Sequence, residues 1–350
     1  MSGEPPSHTS PDCSTAIPSL AAAQSRPLQS IPGLTQVLSR HIEIVGAAVG
    51  CGARDPRCEY GPDALREWGL GQRLDALARL TSGDSHVRWA EQVYPHYGSA
   101  RTEPDTIVPE FSERLLRAVA LVHHRGGFPM VVGGDHSCGI GTWSGVHQGV
   151  WQQGAMGLIW IDAHMDSHTP DTTPTGALHG MPLATLLGYG DARLVGVGGA
   201  RAKLAARHTC LIGVRSFEAG EAALIEELGV KVFFAEEVRA RGMAPVLAEA
   251  LTVVQSGTVG FGVSIDLDAV DPADAPGVGS PVGGGIRGEE LVGALGQLAD
   301  NPRLLGLEIA EYNPFLDTSG VTRDLVLRLA AAALLPAAEP ALRPASELAA

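Results

Sequence analysis

The stretch GLIWI (157–161) runs directly into DAHMD (162–166), a sharp change from apolar to polar residues. The first five residues are apolar throughout instead of alternating with polar ones, which is typical of a strand buried on both faces of a parallel sheet. Open parallel sheets bind ligands beyond the carboxyl ends of their strands. The stretch therefore predicts a buried strand that ends at a functional site.

Six further short apolar runs recur along the chain, and helix-like stretches separate several of them. The apolar runs lie at 42–49, 129–132, 210–214, 230–234, 259–265 and 304–309. The helix-like stretches lie at 111–125, 218–228, 243–255, 288–299 and 321–335. Alternating strands and helices predict an α/β fold, a single three-layer domain with a predominantly parallel sheet and helices on both faces.

The composition of the 350 residues excludes a fully disordered chain, since 45% are hydrophobic and 18% are charged. We expect a flexible N-terminal arm at 1–40, one folded domain at 41–336 and a C-terminal tail at 337–350. The arm is rich in Ser, Pro, Ala and Gln without a sustained apolar period, and the tail follows the last helix-like stretch.

The charge and the cysteine content limit the classes of binding partner and the cellular location that we expect. The 25 Lys and Arg against 39 Asp and Glu give a formal net charge of −14, which argues against nucleic acid or an anionic membrane and favours a small molecule or metal ion. No apolar run is long enough to span a bilayer, and the N-terminus lacks the pattern of a signal peptide. Five cysteines without close pairing predict free thiols. We therefore expect a soluble cytoplasmic protein.

Three of the apolar runs end in acidic or imidazole groups. The run 129–132 leads into GGDHS (133–137), 157–161 leads into DAHMD (162–166), and 259–265 leads into DLD (266–268). Residues at i, i+2 and i+4 of an extended segment project to the same side. The polar side chains within each cluster can therefore converge.

Carboxylates that lie this close repel one another and lose hydration, so they must protonate, pair with cations or bind metal. Few Lys or Arg lie nearby in the sequence, which favours metal. Asp oxygens with a minority of imidazole nitrogens and no thiolate suit Mn²⁺ better than a structural Zn²⁺. Six ligands exceed what one catalytic ion needs and predict two Mn²⁺ ions with bridging carboxylates. The candidate ligands are His136, Asp162, His164, Asp166, Asp266 and Asp268.

Together, these three clusters resemble the signatures of the arginase (ureohydrolase) superfamily over about residues 42–335. The stretch SIDLDAVDPADAPGVGSPVGGG (264–285) is the most specific part of the resemblance. Members of that family hydrolyse guanidino groups at a dinuclear manganese centre. The resemblance therefore implies a guanidino substrate, two Mn²⁺ held by the six residues above, and a homo-oligomer, either a trimer or a hexamer.

Two further positions resemble catalytic residues of the family. His179, in TGALHGMP (175–182), matches a histidine that passes a proton to the leaving amine. Glu311, in LEIAEYNP (307–314), matches a glutamate that pairs with the substrate guanidinium. A His titrates near working pH, and a carboxylate can make two contacts with a planar guanidinium. The segments HGMPLATLLG and EYNP resemble those of arginases more than those of agmatinases, which implies L-arginine as the substrate.

The chain departs from the arginase pattern at the other end of the substrate. The positions that would contact the α-carboxylate are His168, Thr175 and Ala177, of which Ala177 has no polar atom. The position that would contact the α-amino group is Glu218, where the family has an aspartate. These changes bear on specificity more than on hydrolysis. Two alternatives stay open: a hydrolase of agmatine, guanidinobutyrate or guanidinopropionate, and a non-catalytic homologue, although none of the six ligand positions is altered.

Overall fold

A computed structural model describes residues 40–81, 85–97 and 103–336 of the chain. The arm expected at 1–40 and the tail expected at 337–350 lie outside the described residues, except for Arg40. Arg40 is buried, and its guanidinium donates hydrogen bonds to the carbonyl oxygens of Ala299 at 2.6 Å and Asn301 at 2.7 Å. Arg40 therefore belongs to the folded body.

Eight strands form one sheet in which every neighbouring pair is parallel. All seven apolar runs of the sequence form strands, and their order across the sheet is β2-β1-β3-β8-β7-β4-β5-β6. The strands are β1 (His41–Ala47), β2 (His86–Val93), β3 (Phe128–Gly133), β4 (Met156–Ile161), β5 (Thr209–Val214), β6 (Lys231–Phe234), β7 (Gly260–Asp266) and β8 (Leu304–Ala310).

Helices connect the strands, and all five predicted helical stretches are helical. The stretch 288–299 is α-helical only to Leu295 and continues as a 3₁₀ turn, Gly296–Leu298. Other 3₁₀ turns span Pro56–Tyr60, Leu178–Gly180, Ala206–His208 and Leu267–Ala269. The helices are α1 (Gly61–Glu67), α2 (Leu70–Thr81), α3 (Pro104–His124), α4 (Cys138–Val150), α5 (Pro182–Leu186), α6 (Ala192–Val195), α7 (Ala219–Leu228), α8 (Ala235–Arg241), α9 (Met243–Gln255), α10 (Gly288–Leu295) and α11 (Val321–Leu334).

The sheet lies between two apolar layers, which explains why an inner strand such as β4 is apolar throughout. Along β4, Ile159 and Ile161 pack into one layer with α2, α9, α10 and α11. Leu158 and Trp160 pack into the other layer with α3, α4 and α5. Because successive side chains of a strand point to opposite faces, both sets must be apolar. The predicted three-layer α/β fold is confirmed.

The parallel arrangement brings the carboxyl ends of all the strands to one edge of the sheet. The three polar clusters follow β3, β4 and β7 there, and Glu218 and Glu311 follow β5 and β8. In the part of the chain that the structure describes, no helix combines the length and hydropathy needed to cross a membrane.

Candidate metal centre and active site

Each of the three polar clusters contains the same local turn. The first aspartate of each cluster, Asp135, Asp162 or Asp266, accepts a hydrogen bond from the backbone N–H two residues later, at 3.0, 2.7 and 2.8 Å. Aspartate favours such turns because its short side chain reaches its own backbone. In Asp162 and Asp266 the bond uses Oδ1, and Oδ2 lies beside His136 Nδ1; Asp162 Oδ2 also accepts from Trp160 Nε1 at 2.9 Å.

Two groups of His and Asp side chains meet beyond the ends of β3, β4 and β7. His136, Asp162 and Asp266 form the first group, and Asp162, His164 and Asp268 form the second. Within each group the candidate ligand atoms lie within 4.8 Å of one another. Asp162 belongs to both groups, which is the arrangement expected of two neighbouring metal ions that share a carboxylate.

The first group surrounds a fully buried imidazole. His136 Nδ1 lies 3.2 Å from Asp162 Oδ2, 3.2 Å from Asp166 Oδ2 and 3.0 Å from Asp266 Oδ2. Despite these distances, His136 Nδ1 and Asp166 Oδ2 have no hydrogen bond of acceptable geometry with any described residue. Buried polar atoms without partners are rare and costly. One nitrogen and three carboxylate oxygens around a common point fit a divalent cation.

The second group is more open to solvent. His164 Nδ1 lies 3.2 Å from Asp268 Oδ2 and 3.4 Å from Asp162 Oδ1. The His164 side chain is 27% exposed, whereas both aspartates are buried. A ligand entering from outside therefore meets this side of the cluster first.

Burial of several carboxyl groups at one place shifts most of their pKa values upward; in Asp162 alone among the four aspartates, burial is outweighed by the neighbouring His136 and His164, which lower its pKa. Burial, reinforced by the charge of Asp162, raises the pKa of Asp166 to about 7. Burial also raises the pKa values of Asp266 and Asp268, with nearby carboxylates adding to the effect. Burial opposes a charge on His136, but the surrounding carboxylates outweigh it and raise the pKa of that ring well above its usual value. A bound cation would relieve the same repulsion.

A second set of hydrogen bonds fixes the His136 ring from behind. His136 Nε2 lies 2.9 Å from Ser264 Oγ, and Ser264 Oγ donates to Glu308 Oε2 at 2.6 Å. Trp143 Nε1 also donates to Glu308 Oε2, at 3.0 Å, and the His136 ring stacks on Trp160 at 4.1 Å. Because the Ser264 hydroxyl proton points to Glu308, its oxygen accepts from Nε2. Nδ1 of the neutral ring is then free to be a metal ligand.

Backbone strain is concentrated at the same edge of the sheet. Asp166 has φ 49° and Glu311 has φ 69°, and they are the non-glycine residues with positive φ in the described part of the chain. This conformation costs about 1–3 kcal/mol per residue. The Glu311 backbone is held there by a 2.7 Å hydrogen bond from its N–H to the Gly134 carbonyl. Strain of this kind is common where a side chain must be aimed at a ligand.

Glu311 and His179 form a pair beside the metal groups. His179 Nδ1 lies 3.2 Å from Glu311 Oε1, which also accepts the His136 N–H at 2.9 Å. Burial opposes a charge on His179, but the adjacent Glu311 carboxylate outweighs it and raises the pKa of His179 to about 9. Burial opposes a charge on Glu311 as well, and His179 lowers the pKa of that carboxyl nonetheless. The geometry favours an imidazolium next to a carboxylate.

Two of the expected substrate-tail residues, His168 and Glu218, form a separate acidic cluster with Glu221. His168 Nε2 lies 3.0 Å from Glu218 Oε2 and 3.3 Å from Glu221 Oε2. Glu218 and Glu221 also form the capping box of α7. Burial, with the charge of Asp166 adding to it, raises the pKa of Glu221 to about 8. The His168 ring is therefore engaged by two carboxyl groups.

One cavity of about 360 Å³ connects these groups. Residues of the metal groups, of the Glu311–His179 pair and of the cluster around His168 line this cavity. His136 and Asp162 lie directly behind the lining. The structure thus brings the predicted residues together. Those that line the cavity are His164, Asp166, His168, Thr175, Ala177, His179, Glu218, Asp266, Asp268 and Glu311.

Sequence reasoning missed several residues of the site. Asp135, inside GGDHS, is buried and accepts the Gly52 N–H at 2.8 Å. Glu221 could have been found from its spacing to Glu218, which is that of a capping box. Cys58, whose Sγ donates to Glu311 Oε2 at 3.2 Å, lies 253 residues away in sequence and gave no signal.

Known proteins match this sequence. The family model for the arginase family matches residues 40–335. Arginase of Bacillus caldovelox is 39% identical over 290 residues, covering 82% of this chain and 96% of that protein. Arginase of Brevibacillus brevis is 38% identical over 296 residues, covering 83% and 97%.

A solved structure leads to the same assignment. The crystal structure of arginase from Bacillus cereus superposes with a TM-score of 0.77 at 33% identity, covering 84% of this chain and 98% of that one. The family resemblance noted from the three clusters is confirmed by all of these matches. This chain is therefore a hydrolase that acts on a guanidino group, and it belongs to the arginase family.

Proposed function

We propose that this protein hydrolyses L-arginine to L-ornithine and urea with two Mn²⁺ ions. The observation that carries the proposal is the pair of His and Asp groups that share Asp162, at one cavity with Glu311 and His179. Relatives that bear the name arginase at 38–39% identity support L-arginine as the substrate.

The six predicted ligands divide between the two ions. His136, Asp162 and Asp266, with Asp166 beside them, would hold one ion, and Asp162, His164 and Asp268 would hold the other. Manganese is supported by a ligand set that is rich in carboxylate oxygens and lacks thiolate. When bound, a pair of divalent ions supplies the nucleophile by lowering the pKa of water.

Glu311 would orient the substrate. Its carboxylate lines the cavity next to the metal groups, and a carboxylate can hold a planar guanidinium through two parallel hydrogen bonds. Its strained backbone and the hydrogen bonds from His136 and Cys58 keep the carboxylate in place. Fixing the guanidinium carbon in one position lowers the entropic part of the barrier.

His179 would move the proton that the reaction needs. Hydrolysis breaks the bond between the guanidinium carbon and the side-chain nitrogen, and that nitrogen must gain a proton to leave as an amine. His179 lines the cavity and carries a proton at neutral pH when its pKa is about 9. An imidazolium at this position can act as a general acid toward the departing amine.

A second candidate is a guanidino compound without an α-carboxylate, such as agmatine. The observation that favours it is the tail cluster, where His168 is engaged by Glu218 and Glu221 and Ala177 offers no polar side-chain atom. Carboxyl groups of this kind suit an ammonium group better than a carboxylate.

Urea release by the manganese-loaded full chain tests both candidates. We expect L-arginine to be hydrolysed faster than agmatine, guanidinobutyrate and guanidinopropionate, with two Mn per chain by mass spectrometry. Equal rates for L-arginine and agmatine would contradict the proposal of an arginine-specific enzyme. Urea release without bound metal would contradict the proposed metal centre.

We also propose that the protein is a cytoplasmic homo-oligomer, a trimer or a hexamer. The family resemblance supports the oligomer, and the four cysteines of the described residues, all free, support a reducing compartment. Light scattering on the eluting peak of a sizing column measures the mass directly. A mass near 36.4 kDa, that of one chain, would contradict the oligomer.

A further inference from the structure

The active-site cavity has an uneven distribution of charge. Among the described residues that line it, seven carry carboxyl groups and one, Arg54, is an arginine or lysine. Asp166, Asp266 and Asp268 belong to the candidate metal centre, and Glu311 is assigned to the guanidinium. An α-carboxylate inside this cavity would be repelled by the carboxylates, and Arg54 is the permanent cation that could attract it.

The loop that carries Arg54 is fixed to the active site. The Gly52 N–H donates to Asp135 Oδ2 at 2.8 Å, and the Gly52 carbonyl accepts the His179 N–H at 3.1 Å. On the other side of Arg54, Asp55 Oδ2 accepts from Asn313 Nδ2 at 3.4 Å. The backbone of Arg54 is therefore held at the cavity from both sides.

The guanidinium of Arg54 is available for a ligand. Its side chain is exposed at the cavity and forms no hydrogen bond or ion pair with a described residue. The adjacent carboxylate does not compete for it, because Asp55 is already paired with Arg57 at 2.6 Å and accepts its Nε at 2.8 Å. Arg54 therefore differs from an arginine in a surface ion pair, because its charge is not already paired with a carboxylate of the described residues.

We propose that Arg54 binds the α-carboxylate of the substrate and so makes the enzyme select an amino acid over a guanidino amine. The inference rests on the proposed function and adds a specificity-determining residue to it. Arginine side chains bind carboxylates through two parallel N–H donors, which fixes orientation as well as charge. The guanidinium of the substrate would lie at Glu311 and its carboxylate at Arg54.

Kinetics with two substrates test this role in the metal-loaded full chain. Arg54→Ala should raise the KM for L-arginine about tenfold and change kcat by less than about twofold, because the contact is remote from the reacting carbon. The KM for agmatine, which lacks the carboxylate, should not rise. Arg54→Lys should recover part of the affinity for L-arginine. Arg201→Ala, which removes an exposed arginine outside the cavity lining, is the matched control and should change neither KM.

Product binding gives a readout that does not depend on turnover. L-Ornithine and putrescine differ only by the carboxylate. Calorimetry on the same variants should show that Arg54→Ala weakens the binding of L-ornithine and leaves the binding of putrescine unchanged. An unchanged affinity for L-ornithine, or an equal loss for both amines, would overturn the role of Arg54. A wild-type enzyme that binds L-ornithine but does not hydrolyse L-arginine would instead overturn the proposed function.

Discussion

At the scale of single residues, the candidate metal centre consists of buried carboxylates that repel one another, and a bound cation would relieve this repulsion. Asp266 shows this most clearly, because Oδ2 lies 3.0 Å from His136 Nδ1 while Oδ1 accepts the Asp268 N–H at 2.8 Å. One oxygen thus maintains the local turn and the other is left for the ligand group. In Asp162, by contrast, Oδ1 serves both the local turn and the second ligand group, and Oδ2 lies beside His136.

Asp266→Asn keeps the shape of the side chain and removes its charge. We expect the variant to lose bound metal and to hydrolyse L-arginine more than ~100-fold more slowly, because an amide is a weak ligand for a hard cation. Metal content by mass spectrometry and urea release measure both effects. Asp105→Asn, which removes an exposed carboxylate outside the cavity, serves as the control. Full activity with full metal content in Asp266→Asn would show that the ligand assignment is wrong.

Ser264 is expected to act through His136 and not through the substrate. Ser264→Ala leaves His136 Nε2 without its acceptor and should weaken metal affinity about 10-fold, as removing a hydrogen bond behind a metal ligand usually does. A titration of the metal-free protein with Mn²⁺ measures this. Ser144→Ala removes a buried hydroxyl that has no hydrogen bond to a described residue and should leave the affinity unchanged. Equal affinities for wild type and Ser264→Ala would contradict the role of Ser264.

At the scale of the elements, close packing of α4 positions the residues behind the metal site. Gly141 and Gly145 of α4 face α3, where an added Cβ would lie 2.8 Å from the Ser112 carbonyl oxygen and 2.7 Å from that of Leu116. These glycines let the two helices approach. The approach fixes Trp143, whose indole nitrogen donates to Glu308.

A substitution at Gly262 of β7 tests this packing. A methyl group at this position would overlap the Trp143 ring, so Gly262→Ala should destabilise the protein by roughly 1–3 kcal/mol or more. Gly293→Ala on α10 adds the same methyl group where nothing lies within 4 Å, and it should be neutral or stabilise by up to about 1 kcal/mol. Urea-induced unfolding of both variants measures the difference. Equal stability of the two variants would contradict the contact between β7 and Trp143.

At the scale of the whole molecule, the metal site couples ligand binding to folding stability. Metal ions that bind the folded state and not the unfolded chain stabilise it by about 2.7 kcal/mol at 100 times their dissociation constant. Removal of metal by a chelator should therefore lower the melting temperature by roughly 5–10 °C. Differential scanning calorimetry with and without chelator measures the shift. Asp266→Asn should show a smaller shift, and an unchanged wild-type melting temperature would contradict a bound metal.

Local sequence patterns were sufficient for much of the fold. Six of the seven predicted strands are apolar runs inside the sheet, and β6 was predicted from its short apolar run although it lies at an edge and leaves Phe234 exposed. Strand β2 could not, because HVRWAEQV interrupts its apolar residues with charged and polar ones, several of which are exposed. Helix α4 could not either, because CGIGTWSGVHQGV contains four glycines, which disfavour an isolated helix. Its helical state is favoured by burial against α3 and the sheet.

The members of each polar cluster can be identified from the sequence alone, whereas the way in which the clusters combine depends on tertiary contacts. Asp162, His164 and Asp166 lie in one short segment that a local pattern records, but the turn at Asp162 and the positive φ of Asp166 bring them together, not an extended strand. The link from His136 through Ser264 to Glu308 and the position of Arg54 at the same cavity join segments far apart in sequence. Such contacts arise only when the parallel sheet brings its strand ends to one edge. Their physical cause is the burial of two apolar layers, which is a property of the whole fold.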